Sequence, residues 1–326
     1  MKALRRIRTV LIPASFGIVG YILGNGSSRQ QYSAEADWSV KGAFNYIGAW
    51  YRRLPVPGLP LYGEVSAAVP SQAADIVPEP PPQASRTAQI MRFGFPGLDN
   101  IRSLDDYVLS YDRRNRVAHW VFEHLTAERI KKRDTVDRSK CNFHEDSSIH
   151  PFFRSVNQDY KGSGFDRGHL AAAGNHRLTQ EHCDQTFLLS NMAPQVGKGF
   201  NRDSWNRLEK YVRHLARKYK NVYVCTGPLY LPRQEADGKL YVRYQVIGKS
   251  HVAVPTHFFK VIVAEDASGA LELEAYVMPN AVIKDDAPLT NFQVPPETVE
   301  RAAGLLFFDK LSKTKIQKIN GKKITW

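Results

Sequence analysis

Two short stretches of this chain carry residue types suited to phosphodiester chemistry. Residues 162–169, Gly-Ser-Gly-Phe-Asp-Arg-Gly-His, set His169 beside Arg167 on a glycine-flanked backbone. Further on, Asn201 precedes Glu209 by eight positions. A histidine titrates near neutrality and can take a proton from water. Arginine offers permanent charge and a planar fork of donors, which suits a phosphate. Gly168 lets the backbone pass close to a ligand. Asparagine is a neutral oxygen donor for a hard cation, and a glutamate can orient the waters such a cation retains. Together these are the parts of a metal-assisted hydrolase acting on phosphodiesters. Each residue also has a bland reading: His169 as a hydrogen-bonded core histidine, Asn201 as a helix cap, Glu209 as a solvated charge. The other nine histidines lack both a neighbouring clamp and flanking glycines.

The elements that must hold these residues can be read from periodicity. Trp205, Leu208, Val212, Leu215 and Tyr219 recur at helical spacing, with Asn201 in the first turn or cap. Eight positions along a helix bring Glu209 about a quarter turn around from Asn201, so both can border one cleft. Gly162 and Gly164 mark a turn leading into a strand that contains Asp166 and His169. Upstream, residues 107–111, a polar turn at 112–116 and residues 117–125 predict a β-hairpin. Downstream, strands are expected at 222–225, 240–247, 252–263 and 271–278, with a turn at 266–269. Consecutive strands with short links imply an antiparallel sheet and an α+β fold. Residues 295–306 predict a helix opened by proline, with Val299, Ala302, Ala303 and Leu306 on one face. The lysines from Lys310 to Lys323 predict a solvated basic arm. No internal repeat is present.

Bulk properties narrow the partners. The chain has 326 residues, 43% hydrophobic and 24% charged, with a formal net charge of +13. That excess favours a polyanion, either nucleic acid or an anionic membrane surface. The 3 cysteines, Cys141, Cys183 and Cys225, are odd in number and widely spaced, which excludes a disulfide framework and a zinc ribbon. Residues 1–34 carry Lys2, Arg5, Arg6 and Arg8 and no acidic group. The apolar run 10–23 is broken by Pro13, Gly17 and Gly20 and falls short of the ~20 residues that span a bilayer. This composition resembles a mitochondrial presequence with an inner-membrane sorting or anchor segment, so transient membrane contact is expected there. A secretory signal is the rival reading, opposed by the arginines. Residues 35–89 are proline-rich and predict a linker without a core. A catalytic domain is expected at 90–310 and a basic tail at 311–326.

Residues 163–170, followed by Leu-Ser-Asn-Met-Ala-Pro-Gln at 189–195, resemble the DNA/RNA non-specific endonuclease family of the ββα-metal superfamily. The runs 223–229, 244–249 and 252–261 are similar to its mitochondrial members. The resemblance extends from about residue 90 to about residue 310. It implies a hairpin presenting His169 and a following helix presenting Asn201, both on an antiparallel sheet flanked by helices. It also implies His169 as general base, Asn201 as the one direct protein ligand to Mg²⁺ (with Mn²⁺ as a substitute) and Arg167 as the motif arginine. Glu209 holds the ion's water, and Asn191 is an active-site residue. The implied substrates are DNA and RNA, cut to 5′-phosphate ends by a homodimer. A mitochondrial location and a role in DNA degradation during cell death, with relocation to the nucleus, come with the same resemblance. One departure stands out: residues 196–200 are about one residue longer than the family's usual loop, and Phe-Asn-Arg replaces its Leu-Asn-Gln.

Two alternatives have discriminating features. A related mitochondrial exonuclease-like group tends to carry serine at the position of Asp166 and an extra C-terminal region. A catalytically inactive basic nucleic-acid-binding protein would not need the full set His169, Asn201, Glu209 and Arg167.

Overall fold

The computed structural model describes residues 79, 81 and 83–324. The expected presequence, its membrane contact and most of the proline-rich linker lie outside these residues. Among the described residues, no helix is long and apolar enough to cross a membrane. The linker ends sooner than residue 89. Ser85 accepts a hydrogen bond from the Ala88 N–H and caps α1 (Arg86–Ile90). The helix is anchored because Ile90 is buried and Arg86 pairs with the buried Asp106.

The body of the fold is one eight-stranded sheet. Its first strands are β1 (Ile101–Ser103), β2 (Tyr107–Asp112) and β3 (Val117–Leu125). After a two-stranded ribbon of β4 (Phe165–His169) and β5 (Met192–Val196), the chain returns to the sheet as β6 (Asn221–Leu229). Four short strands follow: β7 (Arg233–Gln234), β8 (Leu240–Tyr241), β9 (Val246–Ile247) and β10 (Val252–Ala253). The sheet is completed by β11 (His257–Glu265), β12 (Leu271–Pro279), β13 (Ile316–Ile319) and β14 (Lys322–Lys323). The strand order is β1-β2-β3-β6-β11-β12-β13-β14, antiparallel throughout except for the β12–β13 pair.

Alternation explains why the central strands are buried on both faces. In β6, Val222 and Val224 join one core, while Tyr223 and Cys225 join the other. In β11, Phe258 and Ile262 face the first core and Phe259, Val261 and Val263 the second. The first core is roofed by α4 (Asn206–Lys218), which follows α2 (Asn157–Tyr160) and α3 (Gln180–Gln185) in the chain. The second is covered by α1, by α5 (Pro296–Ala303) and by the C-terminal segment. The Gly304 φ of 67° ends α5 in the left-handed conformation that glycine tolerates.

Three expectations need correction. Residues 240–247 and 252–263 are not two long strands. The β7–β8 and β9–β10 ladders are two residues long and stand apart from the main sheet, and Pro255, which lacks a backbone donor, lies between β10 and β11. The basic tail is not a free arm. Ile316 is buried in the second core, and β13 pairs with the outer edge of β12. Lys322 and Lys323 then sit on the last strand, where charge discourages further edge pairing.

Candidate active site

The β4–β5 ribbon brings the first motif into place. Gly162 and Gly164 turn the chain at φ values of 71° and 84°. The following strand pairs His169 with Met192 and Gly168 with Ala193. A Cβ on Gly168 would lie 2.1 Å from the buried Gln195 side chain, so glycine is what this crossing admits.

The second motif sits on a wide turn rather than at the start of a continuous α-helix. Gly197–Trp205 is wound as a π-helical segment, with non-helical angles at Lys198 and Gly199, and runs into α4. A π turn closes an i→i+5 ring and so holds one residue more than an α turn. That is where the longer loop before Asn201 is absorbed. Phe200 and Trp205 bracket Asn201 and pack on each other and on Phe258 of β11, with centroids 5.6–5.8 Å apart. The turn is thus riveted to the sheet, while Asn201 is left facing outward.

Between ribbon and helix lies a cleft of about 920 Å³, lined by Arg167, His169, Asn201 and Glu209. Arg167 is held by a 2.6 Å hydrogen bond to Asn157 and lies 4.1 Å over the Phe143 ring. His169 packs against Phe143 and Phe187, at 5.7 and 4.7 Å between centroids. Its Nε2 is buried without a hydrogen-bond partner. Burial, reinforced by the positive charges of Arg138 and His176, lowers the imidazole to about 3. The ring is therefore neutral, the state a proton acceptor needs. Burial raises the Glu209 carboxyl, and Lys260 and Arg213 pull it back.

Asp166 ties the two motifs together. Its carboxylate accepts a 2.9 Å hydrogen bond from Asn201 Nδ2 and a forked pair from Arg202 at 2.6 and 2.8 Å. With Nδ2 engaged, Asn201 Oδ1 accepts no hydrogen bond among the described residues and is the free donor oxygen of the pair. Asn191 is in a different place from the other four. It is fully buried and does not line the cleft. Its carboxamide bonds to both backbone groups of Ala171 and to the Thr186 carbonyl. It clamps the segment that leaves His169 and touches no solvent.

Sequence reasoning passed over Arg138, Arg177 and Arg213, which also line the cleft. Arg213 Nη1 donates to Asn175, which donates in turn to the buried Glu123. Helical spacing could have found Arg213, one turn beyond Glu209. Nothing local marked Arg138 or Arg177, which arrive from loops.

A family model described as DNA/RNA non-specific endonuclease matches residues 86–314. The chain belongs to the DNA/RNA non-specific endonuclease family. It is a non-specific endonuclease of this metal-dependent family, close to mitochondrial endonuclease G. Endonuclease G, mitochondrial, of Caenorhabditis elegans is 57% identical over 239 residues, covering 73% of this chain and 78% of the relative. The human protein of the same name is 59% identical over 219 residues, covering 67% and 73%. A crystal structure of the EndoG/EndoGI complex, concerned with EndoG inhibition, contains a chain 68% identical to this one. It superposes with a TM-score of 0.74 over 74% of this chain and 99% of that one. The ββα-metal fold expected for the family agrees with the ribbon, the helix and the antiparallel sheet described above.

Proposed function

We propose that this endonuclease works with His169 as general base and Asn201 as the direct protein ligand to Mg²⁺, Mn²⁺ being an acceptable substitute. The observation that carries this reading is the single cleft in which both side chains meet Arg167 and Glu209, with Asp166 holding Asn201 by its nitrogen. The donor set suits a hard ion that keeps most of its water. No cluster of three or more His, Cys, Asp or Glu side chains able to hold a metal exists among the described residues, and Mg²⁺ dehydrates reluctantly. When bound, the ion would supply positive charge to stabilise the leaving 3′ oxygen. Neutral His169 accepts a proton from the attacking water. Glu209 orients water at the ion's site, and Arg167 binds the scissile phosphate through donors that Asn157 leaves free. Asn191 acts as a positioning residue, fixing the backbone just beyond His169.

Nothing in this set reads a base edge, so substrate binding rests on phosphates and accepts DNA and RNA alike. The test is plasmid digestion with metal titration. His169→Ala is expected to abolish cleavage while DNA binding persists, and Asn201→Ala to lose the response to Mg²⁺. Cleavage by His169→Ala at the parental rate would remove the base assignment.

The same reading extends to assembly and location. Leu240, Val242, Tyr244 and Val246 are exposed, one every second residue, and an exposed apolar row of this kind supports burial against a second copy. Leu240→Lys with Val246→Lys is expected to shift a dimer to monomer in analytical ultracentrifugation. The basic, acid-free N-terminus and the mitochondrial names of its relatives support import into mitochondria, to the intermembrane space or inner membrane. DNA degradation in cell death after release to the nucleus follows from that reading. Import assays with and without residues 1–34 test it.

A further inference from the structure

We infer that Cys141 and Cys183 form a peroxide-oxidisable site whose closure to a disulfide slows the nuclease. The inference concerning rate rests on the roles proposed for His169 and Arg167. The two Sγ atoms lie 3.3 Å apart as free thiols. A disulfide requires about 2.05 Å, so closure asks the sulfurs to move by about 1.3 Å. The segments carrying them are already matched. Gln180 of α3 accepts from the Asp137 N–H at 2.8 Å and donates to the Asp137 carbonyl at 3.2 Å. Its Nε2 is also 3.4 Å from Cys141 Sγ. Cys183 is buried and Cys141 is part-exposed, so a small oxidant meets Cys141 first. Cys225 is buried in the opposite core and cannot take part.

The pair lies directly behind the cleft. Phe143, two residues beyond Cys141, is the ring that supports both His169 and Arg167. Phe187 of the Cys183 cluster touches Phe143 at 4.9 Å and His169 at 4.7 Å. Pulling the Cys141 segment toward α3 therefore shifts the shelf on which base and phosphate clamp rest. Misplacement of reacting groups by about 1 Å can cost as much as about 100-fold in rate.

The chemistry balances with one peroxide. Cys141 loses its proton and attacks a peroxide oxygen. The O–O bond breaks, the departing oxyanion takes up a proton, and Cys141 becomes a sulfenic acid. Cys183 then loses its proton and attacks the Cys141 sulfur, and hydroxide leaves as water. Two thiols are oxidised by two electrons and the peroxide is reduced. Burial, a hydrogen bond with Asp184 and the neighbouring Cys183 all push the Cys141 thiol up, away from the reactive thiolate. The site is thus a slow lock, closing faster in mild alkali, rather than a rapid sensor.

The experiment treats the full chain with hydrogen peroxide in mildly alkaline buffer. It reads a Cys141–Cys183-linked peptide by mass spectrometry and plasmid cleavage before and after dithiothreitol. The expected result is a linked peptide, a fall in cleavage of about ten- to one hundred-fold, and recovery on reduction. Cys183→Ala should match the reduced parent and lose the dithiothreitol-reversible response. Absence of the linked peptide overturns the site. A linked peptide with unchanged cleavage, or the same reversible loss in Cys183→Ala, overturns its action on the cleft. Failure of the His169 assignment would show instead in the peroxide-free assay of His169→Ala and leave the linked-peptide result standing.

Discussion

At the scale of single residues, the site works by fixing atoms rather than by accumulating charge. Asp166 engages Asn201 Nδ2 and so decides which end of a symmetric-looking amide is offered to a cation. Outer partners of this kind typically change metal affinity by about 10–100-fold when removed. Asp166→Ala is therefore expected to raise the Mg²⁺ needed for half-maximal cleavage by about that factor, read by metal titration. An unchanged curve would mean that Asn201 holds its orientation unaided. His169 makes a second prediction. Because burial lowers it to about 3, kcat/KM should not fall as pH drops through about 6.5, the ordinary histidine value. An acid limb centred there in the pH–rate profile would show that the imbalance of solvation around the ring is smaller than the structure implies. Both Asp166 and His169 belong to a motif visible in the sequence, yet the hydrogen bond between Asp166 and Asn201 spans 35 positions and has no local trace.

At the scale of elements, the ribbon and the π turn are separate units that meet only because the sheet orients both. The turn depends on Gly199, which holds a φ of 86° and lies so close to Val282 that a Cβ would fall 2.7 Å from Val282 Cγ1. A non-glycine residue there carries backbone strain of about 1–3 kcal/mol, besides the clash. Gly199→Ala should lower stability by at least about that amount in urea denaturation and lower cleavage more than Gly238→Ala, whose glycine meets open space. Equal effects from the two variants would indicate that the turn's conformation does not matter to the site. The stripe Trp205, Leu208, Val212 and Leu215 was legible because burial against a sheet imposes a 3.6-residue period. Residues 240–253 misled for the converse reason: their alternation is real, but no long partner strand is there to use it.

At the scale of the whole molecule, a buried polar network links the second half of the sheet to the cleft. His176 is bonded to Asp106 at 3.0 Å and Glu123 at 2.9 Å. Burial alone would lower its pKa, but these two carboxylates override it and raise it to about 9. Its folded value lies above the unfolded one, so its contribution to stability is complete below about 6.5 and is lost as pH rises through about 9. His169 has the opposite sign. Its contribution is complete above about 6.5 and is lost as pH falls toward about 3. Denaturation across pH should show greatest stability between these flanks. His176→Gln should flatten the alkaline flank and leave the acid one. Survival of the alkaline decline in that variant would assign it to another group. The net charge of +13 leads to one further expectation, that the affinity for DNA falls steeply as salt rises. A flat salt dependence would contradict phosphate-led binding.

The sequence by itself determined the chemistry, because His169, Arg167, Asn201 and Glu209 have few other joint uses. It also determined the main strands and the α4 helix, because amphipathic periods are local properties. Only the tertiary structure decided that Asn191 braces backbone instead of lining the cleft, that loops contribute Arg138 and Arg177, and that the lysine-rich C-terminus closes the sheet. Those outcomes depend on contacts between residues far apart in the chain, and the energy of such contacts is written in no single segment.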